Sequence, residues 1–197
     1  MKLRYKLAQK IILFIMKLLW NLKIIGLEKV QISDGGIVCA NHQSAFDPPF
    51  LGAILPVESY YMAKAELFKN KILGAILKSF NAIPVRRYGF SGSSIKKMKE
   101  LLKAKRNIII FPEGSRKSFT AKPGIAKIAW ETDATIFPVK IENIDSFKDC
   151  LFGKKHLTFI FRKSFPPTLY KKFANKKPDY KKFAQKILDR INEVEND

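Results

Sequence analysis

The sequence predicts an α/β fold, a single domain with a mostly buried central sheet covered by helices, preceded by an amphipathic amino-terminal helix. Three observations carry that expectation. Short continuous apolar runs, such as Ile37-Val38-Cys39-Ala40 and Ile108-Ile109-Ile110-Phe111, read as strands buried on both faces. Between them lie segments whose apolar residues recur every three or four positions, the helical period. A chain of 197 residues with 47% hydrophobic composition can bury one sizeable core, and no Pro/Gly/Ser-rich linker divides it. Residues 1–26 are expected to form a membrane-binding segment and 27–197 the domain that carries the chemistry.

In residues 2–25, Lys6, Lys10, Lys17 and Asn21 share one helical stripe. Leu7, Ile11, Phe14, Ile15, Leu18, Leu22 and Ile25 lie opposite, with Trp20 near the polar border. The longest apolar run, residues 11–16, falls well short of the roughly 20 residues a bilayer span needs. Trp20-Asn21-Leu22-Lys23 offers no small-residue cleavage site of a signal peptide. The segment therefore reads as an interfacial helix with Lys6, Lys10, Lys17 and Trp20 as membrane contacts. An ordinary surface helix packed on the core is the competing reading.

Gly35-Gly36 turns into the strand 37–40, and Asp47-Pro48-Pro49 reads as a helix start with Asp47 as N-cap and Pro48 at the first helical position. Strands are expected at 60–62 and 82–85. They flank an amphipathic helix, 63–80, with Lys64, Lys71 and Lys78 opposite Phe68, Ile72 and Ile76. A turn at 89–92, a helix at 94–105, the strand 108–111, a helix opened by Pro123-Gly124, strands 135–141 and 157–161, and a terminal helix 180–194 complete the alternation.

The formal net charge of +20 points to an anionic partner, either nucleic acid or an anionic membrane surface. No RNA- or DNA-binding signature accompanies the charge, so no nucleic acid is expected. Of the 37 basic residues only seven are arginine, which makes each arginine informative. Cys39 and Cys150 read as buried free thiols of a reducing compartment. With His42 and His156 as the only histidines, no cluster has metal-ligand spacing and no metal is expected.

The chemistry-bearing residues gather where strands end. His42 and Asp47, in Asn41-His42-Gln43-Ser44-Ala45-Phe46-Asp47, follow the strand 37–40. An imidazole titrates near ~6.5, so it can take a proton from an alcohol, and a carboxylate on one ring nitrogen fixes the tautomer that leaves the other as base. A helix cap and a polar loop histidine are the plainer readings of the same residues. Arg86 and Arg87 follow the strand 82–85, and Arg116 follows Glu113-Gly114. A planar guanidinium suits phosphate, with surface ion pairing as the alternative. Lys122 stands just before the helix start at Pro123, as added positive charge for an anion or as plain surface charge. No P-loop pattern is present, so nucleotide phosphate is not the expected ligand.

Four blocks in this order, residues 41–47, 83–87, 111–116 and Phe137-Pro138-Val139, together with Lys64-Ala65-Glu66-Leu67-Phe68, resemble the glycerolipid acyltransferase family, most of all its branch that makes phosphatidic acid. The resemblance spans roughly residues 36–141. It implies that 27–197 is an acyltransferase domain, with His42 as general base on a lipid hydroxyl and Asp47 as its orienter. It also implies that Arg87 and Arg116 bind the phosphate of the acceptor, 1-acylglycerol 3-phosphate (lysophosphatidic acid), and that Glu113 positions it; Gly114 and Lys122 join them as substrate-binding candidates from their place beside Arg116 and the helix start. The donor would be an acyl thioester of coenzyme A or acyl carrier protein, with no bound cofactor and no acyl-enzyme on Ser44 or Cys39. The setting would be the cytoplasmic face of the cell membrane, as a peripheral or monotopic enzyme. Glycerol 3-phosphate or another lysolipid is the alternative acceptor, and a non-catalytic basic binding protein the alternative of a different class. Asn81 stands where the family usually has glycine, and Ser115 and Lys117 replace threonine and serine.

Overall fold

A computed structural model describes residues 2–32, 34–85, 92–116, 118, 120–171 and 178–193. The paired arginines Arg86 and Arg87, part of the expected turn at 89–92, and Lys117 lie outside the described residues.

In chain order the elements are α1 (Leu3–Trp20), β1 (Lys23–Ile25), β2 (Ile37–Ala40), α2 (Asp47–Ile54), β3 (Ser59–Lys64), α3 (Lys71–Ser79), β4 (Ala82–Val85), α4 (Gly92–Lys103), β5 (Asn107–Ile110), α5 (Gly124–Thr132), β6 (Ile136–Glu142), α6 (Phe147–Leu151), β7 (Thr158–Phe161), α7 (Pro167–Lys171) and α8 (Tyr180–Asn192). The strands form one seven-stranded sheet in the order β1-β7-β6-β2-β5-β3-β4. All neighbours run parallel except β6 and β7. The central strands β2 and β5 are buried at every position, which explains their unbroken apolar runs. Helices cover both faces. Tyr5, Phe50, Leu51 and Phe80 from α1, α2 and the end of α3 fill one side, and Met98, Leu102, Ile125, Ile128, Ile187 and Ile191 from α4, α5 and α8 the other.

Two of the expected helices end or begin elsewhere. The helix expected over 2–25 stops at Trp20, because Asn21 takes a left-handed conformation (φ 49°), and residues 23–25 join the sheet edge beside β7. The helix expected over 63–80 is the end of β3, a 3₁₀ turn (Ala65–Lys69) and α3, which starts where Asn70 accepts a hydrogen bond from the Leu73 amide. A period-3.6 pattern registers which residues are apolar but not where the chain changes direction. Asn81 sits at φ 53°, a left-handed position that glycine occupies freely and asparagine tolerates, and its amide donates to Glu58.

α1 belongs to the core as much as to the surface. Tyr5 and Met16 are fully buried, the Tyr5 hydroxyl donates to the Gly52 carbonyl, and the Gln9 amide donates to Gly52 and Leu55. The opposite side of the helix exposes Leu3, Leu7, Ile11, Phe14 and Leu18, with Lys6, Lys10 and Lys17 exposed alongside. Trp20, expected as a membrane contact, is half-buried, its ring edge-on to Phe50 at 5.3 Å and tilted against Phe147 at 4.6 Å. Among the described residues no helix is long and apolar enough to cross a membrane.

Candidate active site

β2 and β5 are adjacent and parallel, with Cys39 opposite Ile110, so the residues that follow them emerge side by side at one sheet edge. That juxtaposition brings His42 and Glu113 together from positions 71 apart in sequence. Asn41 fixes the exit of β2 by pairing with the Ile141 backbone on β6, donating to its carbonyl at 2.9 Å and accepting from its amide at 2.7 Å. The His42 ring then stacks on Phe111 with centroids 4.4 Å apart. Neither role was assigned from sequence. An amide side chain directly before the histidine and an aromatic directly after a strand were the available signals.

Asp47 reaches backwards onto the loop. Its Oδ2 accepts from His42 Nδ1–H at 2.7 Å, from the Gln43 amide at 2.7 Å and from the Ser44 amide at 2.8 Å. Both partners of the pair are buried, with His42 3% and Asp47 0% exposed. The expected N-cap role is not what the carboxylate does. Pro48 and Pro49 carry no N–H for a cap to accept, and the Phe50 amide donates to the Phe46 carbonyl. A carboxylate at Nδ1 makes that nitrogen the protonated one and Nε2 the basic one.

Glu113 is also buried, and its Oε1 accepts from the His42 backbone amide at 3.3 Å. Gly114 permits the turn with φ 68°, and a Cβ there would meet the Lys122 side chain at 3.1 Å. Burial pushes the Glu113 carboxyl up to about 7, partly offset by amide hydrogen bonds from His42 and Ser118. Between about 4.5 and 7 the folded protein keeps a proton that the unfolded chain releases, so this group's contribution to stability falls as pH rises through that window. Glu113→Gln is expected to remove on the order of 1–3 kcal/mol of the stability lost between mildly acidic and mildly basic pH. Urea unfolding across that range checks it, and parallel curves for the two proteins would contradict the assignment.

His42 forms part of the wall of two clefts. One, of about 490 Å³, runs along β3 and the turn after it, lined by Pro48, Tyr61, Met62, Leu67, Leu77 and Arg116. The other, of about 440 Å³, lies toward α8 and includes Gln43, Glu113, Lys140, Gln185 and Asn192. The site thus assembles His42, Asp47, Glu113, Gly114 and Arg116. Lys122 is exposed behind Gly114, its amide donating to the Pro112 carbonyl at 2.7 Å, and it lines neither cleft. Cys39 is fully buried in β2, where desolvation holds its thiol well above the usual range and keeps it protonated.

Residues 21–142 match the Acyltransferase family. The chain is 32% identical over 197 residues to the 1-acyl-sn-glycerol-3-phosphate acyltransferase of Bacillus subtilis, covering 98% of this chain and 97% of that protein. It is 39% identical over 105 residues to the protein of the same name from Streptococcus pneumoniae, covering 52% of this chain and 40% of that one. The fold is similar, with a TM-score of 0.69 and 21% identity, to the crystal structure of the 1-acyl-sn-glycerophosphate (LPA) acyltransferase from Thermotoga maritima, covering 94% of this chain and 77% of that one. A buried histidine–aspartate pair at a sheet edge, in a chain whose residues 21–142 match the family and that is similar to the Bacillus subtilis protein over nearly its whole length, means that this chain belongs to the acyltransferase family.

Proposed function

We propose that this protein is a 1-acyl-sn-glycerol-3-phosphate acyltransferase of phospholipid synthesis, transferring an acyl chain from a thioester of coenzyme A or acyl carrier protein to the free hydroxyl of the lysolipid to form phosphatidic acid. The observation that carries this reading is the oriented His42–Asp47 pair at the wall of a cleft that combines apolar side chains with Arg116. The acceptor hydroxyl gives its proton to His42 Nε2 while its oxygen bonds to the thioester carbonyl carbon. The C–S bond then breaks, and the proton passes to the departing thiolate. Asp47 steadies the imidazolium between these steps. Arg116, with Arg87, binds the acceptor phosphate, and Glu113 holds the His42 loop in place through its backbone amide.

Incubating the whole protein with a labelled acyl thioester and separate acceptors tests this. Label should enter 1-acylglycerol 3-phosphate in preference to glycerol 3-phosphate or lysophosphatidylcholine, and the opposite preference would sink the acceptor assignment. Arg116→Ala should raise the acceptor KM by about ten- to a hundredfold, the worth of a lost charged hydrogen bond, and leave the donor KM unchanged.

The lipid acceptor is met at a membrane surface, on the cytoplasmic face. The exposed apolar stripe of α1 and the neighbouring exposed Ile72, Leu73 and Ile76 of α3 support this docking, and Leu67 carries the apolar surface to the rim of the cleft. Each large apolar side chain is worth about 1.5–3 kcal/mol when fully buried, against about 1 kcal/mol for each lysine near anionic lipid. The stripe, not the lysines, therefore dominates. Phe14→Glu combined with Leu18→Glu should weaken binding to phosphatidylglycerol vesicles by at least about tenfold even at low salt. Unchanged sedimentation with vesicles would refute the docking face.

A further inference from the structure

We propose that Phe111 is a positioning residue of the acyl transfer. Its ring face sets the plane of the His42 imidazole and stabilises the positive charge that the imidazole carries between taking the acceptor's proton and giving it to the thiolate. The role rests on the acyl-transfer reading and adds a second group, besides Asp47, that acts through His42.

The two rings meet face to face, with centroids 4.4 Å apart and planes inclined by 26°. Asp47 holds the same imidazole by its edge, at Nδ1, 2.7 Å away. A hydrogen bond at one ring nitrogen fixes a direction but not the plane of the ring, and Nε2 must lie in line with the acceptor hydroxyl. A flat surface against the ring face supplies that plane.

The backbone fixes Phe111 in turn. It follows Ile110, which pairs with Cys39 on β2. Its carbonyl accepts from the Gly114 amide at 3.1 Å, closing the turn that also brings the Glu113 carboxyl to the His42 amide. Its side chain packs against the core cluster that contains Phe50 and Leu51. The single turn after β5 therefore grips His42 twice, ring on ring and carboxyl on backbone.

Charge explains why an aromatic serves here better than another apolar side chain. His42 is 3% exposed, so little of the imidazolium formed during transfer meets water. The face of a phenyl ring carries the negative part of its quadrupole, and a cation against it is attracted most strongly where solvent is excluded. Asp47 meets the same cation with a full opposite charge, so the ring is its second support.

The test replaces Phe111 by Leu, by Tyr, and by phenylalanines bearing one, two and three ring fluorines. Single-turnover acyl transfer, acceptor KM and thermal unfolding are read for each protein. Fluorine drains the negative face while leaving the shape of the ring nearly unchanged. The logarithm of the single-turnover rate should fall in step with the number of fluorines, to about a tenfold loss at three. Phe111→Leu should lose about ten- to thirtyfold at unchanged acceptor KM, and Phe111→Tyr, which keeps the aromatic face, should stay within about threefold of wild type. A ring that only fills space predicts rates indifferent to fluorine, with the effect of leucine confined to the melting temperature; that outcome would overturn the proposal. So would a leucine variant whose loss lies in acceptor KM alone, which would make Phe111 a wall of the cleft. Absence of acyl transfer by the wild-type protein would instead sink the activity itself. The His42 ring protons would still decide the stack: it places them upfield of their position in Phe111→Leu, and equal positions in the two proteins would refute it.

Discussion

His42→Ala is expected to lower kcat for acyl transfer by about 10²–10⁴-fold, the usual worth of a positioned general base. The variant should remain folded, because Asp47 keeps the Gln43 and Ser44 amides as partners and the loop stays pinned by Asn41 on Ile141. The loss should fall on kcat, since most of the cleft wall and the Arg116 guanidinium are supplied by other residues. Single-turnover rates together with thermal unfolding of the same sample separate the two effects. Activity within tenfold of wild type in a folded variant would remove His42 from the chemistry.

Asp47→Asn should cost kcat nearly as much, about 10²–10⁴-fold, with substrate KM values little changed. The new carboxamide can turn its NH₂ toward Nδ1 and stabilise the tautomer with the proton on Nε2, which cannot act as a base. A helix-cap role predicts a different result, lost stability with kcat intact. The geometry favours the first outcome because Oδ2 spends its hydrogen bonds on residues 42, 43 and 44, upstream of the helix. A variant that is less stable but catalytically normal would restore the cap reading.

The cap error is instructive, because the sequence already contained its correction. Asp-Pro-Pro resembles a helix start, and α2 does begin there, but the second proline removes an amide that an N-cap would bond. The buried strands β2 and β5 were legible because full burial leaves an unbroken apolar run, and both lie at their expected places. The break after Trp20 was not legible, since it depends on one left-handed asparagine and on pairing with β7, which lies more than 130 residues away. Likewise, α6 (Phe147–Leu151) and α7 (Pro167–Lys171) are each five residues long, too short for periodicity to register. Within the site, the histidine, aspartate, glutamate and arginine could be picked out by residue type at strand exits. The Asn41 clamp and the Phe111 stack could not, because both partners of each contact become visible only when neighbouring strands are set in register.

The two-sided character of α1 has a consequence for the state of the protein away from lipid. Its inner side, through Tyr5, Gln9 and Met16, is part of the native core, while its outer side exposes Leu3, Phe14 and Leu18 at 84%, 67% and 64%. A bilayer docked on the outer side, as proposed, favours the chain in which the inner side is packed on the core to the extent that it binds the folded chain better than the unfolded one. By mass action it therefore holds the whole domain folded, not just the helix. In water the same stripe is a contiguous apolar surface that invites self-association. Detergent or vesicles should thus act as a folding ligand, raising the melting temperature of the domain.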